Sequence, residues 1–339
     1  MNQTCCKLMT MAAIATTRPL RLIDIGVNLT DPVFHGVYRG KQQHHDDFSD
    51  VLVRARASGV ERMMVTGGSL RESEEALKLA LDHDWLFSTA GCHPTRCSEW
   101  LKNPDQYYQD LLALIQRGQK AGKIVAIGEC GLDYDRLMFC PADVQKTYFQ
   151  RQFDLAEATE LPMFLHNRNT GGDMIKLLKE NRHKFTTGVV HSFDGSLDEL
   201  QELLALGLYI GINGCSLKQP ENLEVLKHIP LDRLMLETDA PWCDIRPTHA
   251  SHAHLIVPPA DLKPTTTDAQ YPFPTYFFAP ESQAKRADKL KPGQMFKSRN
   301  EPCTMVKVLS VVANARGESM ADVAEATFNN TMKVFFGQQ

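Results

Sequence analysis

The chain lacks the features that would place it in a membrane or among strongly basic nucleic-acid binders. Its 339 residues contain no apolar run approaching the roughly 18 residues that span a bilayer. Positive charge is not in excess, because 37 Lys and Arg residues face 41 Asp and Glu residues and give a formal net charge of -4. Such a field does not attract polyanions over the whole surface. We therefore expect no membrane partner, and a nucleic-acid substrate would need a local attractor such as bound divalent cations.

The chain also lacks paired cysteine spacing. Its 9 cysteines are odd in number and scattered, without a C-x-x-C motif. This pattern argues against a disulfide framework and against a zinc ribbon. We expect a reducing intracellular compartment, in the nucleus or the cytoplasm. The first twenty residues contain no Asp or Glu but include Lys7 and Arg18, which leaves a mitochondrial presequence as a minor alternative.

From Arg21 to Asp239, short apolar or β-branched runs alternate with longer amphipathic stretches, which is typical of βα units around a parallel sheet. Eight runs predict strands: RLIDIGV, ERMMVTG, LFSTAG, KIVAIGE, PMFLH, GVVH, LYIGING and RLMLETD. A glycine-rich dinucleotide turn is missing after the first strand, which favours a closed barrel over an open doubly wound sheet. The predicted fold is therefore an α/β TIM (β/α)8 barrel.

The amphipathic stretches between the strands predict helices by their periodicity. They lie at 50–58, 71–82, 107–117, 143–160, 173–179, 197–205 and 222–228. Two further helices are predicted at 303–316 and 320–335, with Gly317 as the break between them.

One barrel of about 250 residues with extensions accounts for the whole chain. We predict a single barrel domain over 21–339, preceded by a flexible N-terminal extension at 1–20. The regular alternation stops after Asp239. Residues from about 244 to 299 are rich in proline and polar residues, and a loop of this length predicts a lid or a disordered insertion.

Four predicted strands end in a side chain that can bind a metal. Glu129 ends VAIGE, His166 ends PMFLH, His191 ends GVVH and Asp239 ends LMLETD. Because parallel strands finish at the same end of a barrel, these side chains are expected to meet in one polar site. Two carboxylates and two histidines suit divalent-metal hydrolysis. Each residue alone has a structural alternative, such as a salt bridge or a buried histidine, and the coincidence of four strand ends favours the metal site.

The predicted catalytic residues are Glu129 and Asp239. Small residues flank Glu129 in IGECGLD and let backbone and ligand approach closely, so this carboxylate is suited to bridging two cations. Barrel closure brings Asp239 beside the first strand, where it either ligates the second cation or accepts a proton. Glu237, two residues earlier, is the competing candidate, with a supporting role as the alternative.

Four further residues are predicted to bind substrate: His93, Arg168, Arg299 and Asn28. His93, in GCHP at the end of the third strand, is a candidate for phosphate contact, with a helix cap or a buried histidine as the equal alternative. Arg168 and Arg299 are candidates for bidentate phosphate binding, with solvated surface positions as the alternative. Asn28, in DIGVN, is expected near Asp239 after barrel closure.

A series of motifs runs along the chain in the order DIGVNLTDP, TGGSLRES, GCHPTRCSEW, VAIGECGLDYDR, LPMFLHNR, VVHSFDG, YIGINGCSLK, LMLETDAPWC and SRNEPC. From about Leu22 to Phe336 the chain resembles the TatD-type deoxyribonucleases. The resemblance implies a TIM barrel of the metal-dependent hydrolase superfamily and hydrolysis of DNA phosphodiester bonds, commonly as a 3′–5′ exonuclease. It also implies one or two divalent cations, Mg²⁺ first, with Mn²⁺ or Zn²⁺ as alternatives.

By motif, the resemblance makes Glu129 the bridging ligand, His166 and His191 the ligands of one metal, and Asp239 the ligand of the other. The chain departs from the family in three places. DIGVN replaces the H-x-H pair that many relatives carry on the first strand, which leaves the second metal with fewer nitrogen ligands. Asn167 stands where the family usually has a cysteine, and the proline-rich stretch is longer than in relatives.

The predicted function is a metal-dependent deoxyribonuclease with DNA as its partner and no stable protein partner. The alternative is a metal-dependent hydrolase of a small amide, lactone or phosphoester, because barrel mouths host many chemistries. A third interpretation is a binding scaffold without activity. A nuclease should lose affinity steeply with salt, whereas an enzyme for a neutral small substrate should not.

Overall fold

The computed structural model describes residues 20–255 and 285–337. The eight apolar runs of the sequence form the eight strands of the barrel, as predicted. They are β1 Leu22–Val27, β2 Val60–Val65, β3 Leu86–Ala90, β4 Ile124–Asp133, β5 Met163–Arg168, β6 Gly188–Val190, β7 Tyr209–Ile212 and β8 Leu234–Leu236. The strands pair in parallel, each with its neighbour in chain order.

The two ends of the sheet meet where the segment after β8 reaches β1. The Asp239 N–H donates to the Gly26 carbonyl at 2.9 Å. The buried Asp24 carboxylate accepts from the Thr238 N–H at 2.9 Å and from its hydroxyl at 2.5 Å. These bonds join the first and last strands, and the predicted α/β barrel is confirmed.

The helices predicted between the strands are also confirmed, with ends that differ by a few residues. Those in the described residues are α1 Phe48–Ala57, α2 Leu70–Asp82, α3 Pro104–Lys120, α4 Ala142–Thr159, α5 Asp173–Glu180, α6 Leu197–Ala205, α7 Pro220–Leu226, α8 Met305–Arg316 and α9 Met320–Thr331. Gly317 adopts a left-handed conformation at φ 69° and ends α8. Ser319 then caps α9 by accepting from the Asp322 N–H.

Apolar side chains fill the end of the barrel at which the strands begin. The interior residues are Ile23, Ile25, Met64, Phe87, Val125, Ala126, Phe164, Val189, Tyr209 and Met235. Phe328, Phe335 and Phe336 from the C-terminal helical segment pack against them, and the rings of Phe87 and Phe336 lie 4.7 Å apart. Aromatic burial of this kind stabilises the core strongly. This end of the barrel is therefore a packed floor.

Two predictions about chain organisation fall partly outside the described residues. Residues 1–19 of the predicted N-terminal extension and 256–284 of the predicted proline-rich loop belong to that part. The described parts of the loop include short 3-10 turns at Ala250–His254 and Ala287–Lys289. No described helix is both long and apolar enough to cross a bilayer.

A short hairpin formed by Val37–Tyr38 and Lys41–Gln42 follows β1. This hairpin was not predictable from the sequence, because two-residue strands leave no periodic pattern.

Candidate metal centre

A pocket of about 890 Å³ opens at the end of the barrel where the strands finish. It is lined by residues from the C-terminal half of the barrel strands or from the segments just beyond them. In chain order these include Asn28, Thr66, His93, Glu129, His166, His191, Cys215 and Asp239. The structure thus brings all four predicted metal ligands to one pocket, and their binding of metal stays a prediction.

Glu129 reaches the pocket because β4 is irregular at this point. The pairing of β4 with β5 shifts register between Ile127 and Cys130. Gly128, at φ 141°, lies so close to β5 that a Cβ atom there would come within 2.1 Å of the Phe164 carbonyl oxygen. Only glycine tolerates both this conformation and this approach. The glycine therefore permits the bulge that presents the Glu129 carboxylate to the pocket.

The Glu129 carboxylate lies among three imidazole rings. Its Oε1 atom is 2.8 Å from His166 Nδ1, 2.8 Å from His191 Nε2 and 3.4 Å from His93 Nε2. Three potential ligand atoms lie within 4.8 Å of one another, one each from His93, Glu129 and His166. This group is compact enough to share a metal ion. His93, expected only as a substrate contact, therefore belongs to the group of potential ligands.

Burial and charge shift the pKa values in this cluster. Burial opposes ionisation of Glu129, but His191 and His93 outweigh it and hold the pKa of Glu129 well below its usual range. Burial also opposes protonation of His191, yet Glu129 and Glu237 raise the pKa of His191 well above its usual value. Burial lowers the pKa of His93 to about 3. The cluster therefore combines an ionised carboxylate with a neutral imidazole, His93, and metal binding favours the deprotonated form of every ligand.

Two buried carboxylates contact the histidines on the side away from Glu129. Asp133 Oδ2 lies 3.2 Å from His166 Nε2, and Glu237 Oε2 lies 3.4 Å from His191 Nδ1. Burial opposes ionisation of Asp133, but its hydrogen bond with His166 outweighs this and lowers the pKa of Asp133. Carboxylates in such positions orient metal-binding imidazoles and determine which ring nitrogen faces the metal. They leave His166 Nδ1 and His191 Nε2 directed at Glu129.

Asp239 lines the pocket from the β8 side. Its Oδ1 atom accepts a hydrogen bond from Asn28 Nδ2 at 2.9 Å, and Cys243 Sγ lies 3.2 Å from its Oδ2 atom. Burial, together with the nearby Glu237 and Glu129, raises the pKa of Asp239 to about 7. A carboxyl group with this pKa exchanges protons readily near neutral pH.

The donor set fits a divalent cation. Imidazole nitrogens and carboxylate oxygens are common ligands of such ions. In residues 20–255 and 285–337, Glu129, Glu237 and Asp239 have no ion-pair partner among the lysines and arginines. The buried oxygens Asp133 Oδ1 and Glu237 Oε2 also lack a hydrogen-bond partner there. Imidazoles provide most of the compensation for these buried carboxylates, and a bound divalent cation would supply further positive charge to them. The fold and these residues together support a divalent metal.

The structure places three of the four predicted substrate-binding residues at the pocket: His93, Asn28 and Arg168. Arg168 forms ion pairs with Asp194 at 2.7 Å and with Asp135 at 3.2 Å. Its side chain remains 36% exposed, so it is accessible from the pocket.

Arg299 lies elsewhere, in a buried cluster of charges. Its guanidinium is 2.6 Å from Asp47 and 2.8 Å from Glu301, and its side chain is 1% exposed. The sequence indicated a cation but carried no sign of the two carboxylates that enclose it. The structure therefore does not bring Arg299 together with the other predicted substrate-binding residues, and we do not retain the expected substrate contact.

The pocket rim contains a feature that sequence reasoning missed. Cys215 and Cys243 form a disulfide, with their Cα atoms 4.8 Å apart. Their separation of 28 residues follows no recognised cysteine motif. One indication in the sequence that the two cysteines are close was their position: Cys215 follows β7 and Cys243 follows the neighbouring strand β8.

An eight-stranded α/β barrel with a carboxylate and histidine cluster at its mouth defines a hydrolase of the metal-dependent barrel class. Within this class the chain belongs to the family described as TatD related DNase, whose sequence model matches residues 23–336. The family resemblance found in the sequence is confirmed.

Individual relatives cover almost the whole chain. It is 43% identical over 330 residues to the deoxyribonuclease Tat-D of Schizosaccharomyces pombe, with 96% of this chain and 99% of the relative covered. It is 35% identical over 318 residues to the 3′–5′ ssDNA/RNA exonuclease TatD of Erwinia tasmaniensis, with 93% and 99% covered. A crystal structure of a TatD-family hydrolase from Entamoeba histolytica superposes with a TM-score of 0.80 at 32% identity, with 94% and 99% covered.

Proposed function

We propose that this protein is a metal-dependent deoxyribonuclease that hydrolyses phosphodiester bonds of DNA from the 3′ end. The observation that carries the proposal is the approach of three imidazole nitrogens to one oxygen of Glu129 at the barrel mouth. Membership of the TatD-related DNase family supports the substrate class. The name of the bacterial relative supports the 3′–5′ polarity.

The residues proposed to hold one or two cations, with Mg²⁺ as the first candidate, are His93, Glu129, His166, His191 and Asp239. A bound divalent cation would supply Lewis acidity to a phosphoryl oxygen and lower the pKa of water. Asp133 and Glu237 hold the imidazoles in orientation, because each contacts the ring nitrogen that faces away from Glu129.

Asp239 is the residue suited to proton transfer. Where it does not ligate a cation, its pKa of about 7 suits it to accept a proton from water and release it again at neutral pH. Asn28 fixes the orientation of this carboxylate through its hydrogen bond to Oδ1. Arg168 is proposed to bind a backbone phosphate, which would compete with Asp194 and Asp135 for its guanidinium.

The organisation of the chain is part of the same proposal. Residues 21–339 would form one barrel domain, with 1–20 as an extension and 244–299 as an insertion beside the mouth. The match of the family model to residues 23–336 supports a single domain. We propose an intracellular site of action, in the nucleus or the cytoplasm.

Replacement of Glu129 by Gln tests the proposal. End-labelled single-stranded DNA is incubated with Mg²⁺, with and without a chelator, and the products are resolved by length. We expect Glu129→Gln to lose activity by orders of magnitude while its melting temperature stays close to that of the wild type. Glu224→Gln is the matched control, because Glu224 is an exposed carboxylate paired with Lys227 at 2.6 Å. Equal rates for Glu129→Gln and the wild type would contradict the proposal.

Salt dependence separates DNA from the small amide, lactone or phosphoester of the alternative. Screening of phosphate contacts should weaken DNA binding steeply as salt rises. A flat salt dependence, with turnover of a small neutral ester, would instead support the alternative.

A further inference from the structure

The pocket rim carries an aromatic side chain that the proposed chemistry does not use. Trp242 lines the pocket and is 56% exposed. Its backbone is held on both sides, because its N–H donates to the Asp239 carbonyl at 2.9 Å and its carbonyl accepts from Asn300 Nδ2 at 2.6 Å. Asn300 itself is buried. The backbone of Trp242 is therefore fixed three residues after Asp239, while its indole remains accessible.

Lys218 lies on the neighbouring segment of the same rim. It follows Cys215 by three residues, and Trp242 immediately precedes Cys243, so the disulfide joins the two segments. Gly214 reinforces the contact, because a Cβ atom there would come within 2.0 Å of the Cys243 carbonyl oxygen. The chain thus places an indole and an ammonium group on two joined segments of the same pocket rim.

Lys218 differs from the arginines that line the pocket. Arg71, Arg96, Arg136 and Arg168 each contact a carboxylate, at 2.8, 2.9, 3.6 and 2.7 Å. Within the part of the chain that the structure describes, Lys218 forms no ion pair with a carboxylate. A lysine ammonium is a compact charge suited to binding a phosphate. Lys218 does not have to release an ion-paired carboxylate before it binds a phosphate.

We propose, building on the proposed deoxyribonuclease function, that Trp242 and Lys218 form a subsite for one nucleotide of the DNA strand. The indole stacks on the base, and the ammonium group binds an adjacent phosphate. Stacking of this kind accepts any base, because every base has a π-face. A base inside a duplex is already stacked on both sides, so the subsite takes an unstacked nucleotide near a strand end.

Steady-state cleavage of a short single strand by the full-length enzyme with Mg²⁺ tests the stacking half. We expect Trp242→Ala to raise KM roughly tenfold or more with little change in kcat, and Trp242→Phe to retain most of the affinity. Strands with a single abasic site at successive positions locate the stacked base. One position should weaken binding to the wild type but not to Trp242→Ala. An unchanged KM for Trp242→Ala, or an abasic effect that persists in it, would overturn the stacking.

The salt dependence of KM tests the phosphate half. Lys218→Met should lower the slope of log affinity against log salt by about 1, and Lys218→Arg should keep it. Lys227→Met is the matched control, because Lys227 lies outside the pocket lining and pairs with Glu224. A Lys218→Met slope equal to that of the wild type would overturn the phosphate contact.

Fluorescence separates failure of the subsite from failure of the proposed function. A short phosphorothioate strand that resists cleavage should quench the emission of Trp242 in the wild type and in Trp85→Phe, but not in Trp242→Phe. Trp85 lies outside the pocket lining, just before the start of β3, and its ring faces Arg56 at 4.7 Å. If the wild type cleaves DNA while quenching persists in Trp242→Phe, only the subsite is wrong. If the wild type cleaves no strand, the proposed function fails first.

Discussion

The mouth cluster and the Arg299 cluster both bury carboxylates, but they balance the charge in different ways. In the Arg299 cluster, two guanidiniums meet two carboxylates: Arg299 contacts Asp47 and Glu301, and Arg54 contacts Glu301 at 2.7 Å. At the mouth, Glu129 is surrounded by imidazoles alone. Breaking a buried pair is costly because it leaves an uncompensated charge. Permanent guanidinium charges balance the carboxylates of the Arg299 cluster, whereas the imidazoles around Glu129 can also bind a metal, and this difference marks the mouth as the place for a cation.

The largest expected effect of a mutation in this comparison is at the mouth. Asp239→Asn keeps the shape of the side chain but cannot accept a proton, so kcat should fall by about 10²–10⁴-fold, the range of general base catalysis. KM and the melting temperature should change little. Single-turnover cleavage of labelled DNA measures the loss. A kcat within a few-fold of the wild type would remove Asp239 from the proposed role.

A change in the Arg299 cluster should affect stability rather than chemistry. Arg299→Met leaves Asp47 and Glu301 buried with less compensation, and the free energy of unfolding should fall by about 3–5 kcal/mol. Denaturant titration measures the loss. Arg117→Met is the matched control, because the exposed pair of Arg117 and Glu74 should contribute only about 0–1 kcal/mol.

The activity per folded molecule separates an effect of Arg299 on stability from an effect on catalysis. Arg299→Met should cleave DNA at the wild-type rate below its melting temperature, because the side chain does not reach the pocket. A stable Arg299→Met protein with a raised KM would instead restore the substrate contact expected from the sequence.

The smallest effect is a pH dependence of metal affinity. Burial raises the pKa of Asp239 to about 7, and Glu129 and Glu237 raise the pKa of His191 despite its burial. Metal binding needs both groups deprotonated, so affinity should fall as pH falls through about 7 and rise on the alkaline side. Asp239→Asn should remove part of this dependence. Calorimetric titration with Mn²⁺ at several pH values measures this dependence. An affinity that does not change across neutral pH would exclude the role of both protons.

The barrel was predictable from the sequence because strand and helix periodicities are local. Each apolar run predicted one strand, and each amphipathic stretch predicted one helix. The end of α6 at Ala205 was predicted to the residue. The convergence of Glu129, His166, His191 and Asp239 on one pocket followed from their shared position at strand ends. That inference needed only the parallel order of the strands.

The remaining features depend on contacts between distant segments. Arg299 was misplaced because its partner Asp47 lies 252 residues away in the chain. The disulfide of Cys215 and Cys243 and the contact of His93 with Glu129 depend in the same way on how neighbouring strand ends pack. The bulge at Gly128 had a local sign, its small neighbours, but its direction depends on β5.

Anomalous diffraction from a crystal soaked in Mn²⁺ tests the central claim most directly. The account predicts a peak within coordination distance of Glu129, with His93 and His166 among the nearest ligands. A well-occupied Mn²⁺ found only elsewhere, with the Glu129 carboxylate still in direct contact with the three imidazoles, would contradict it.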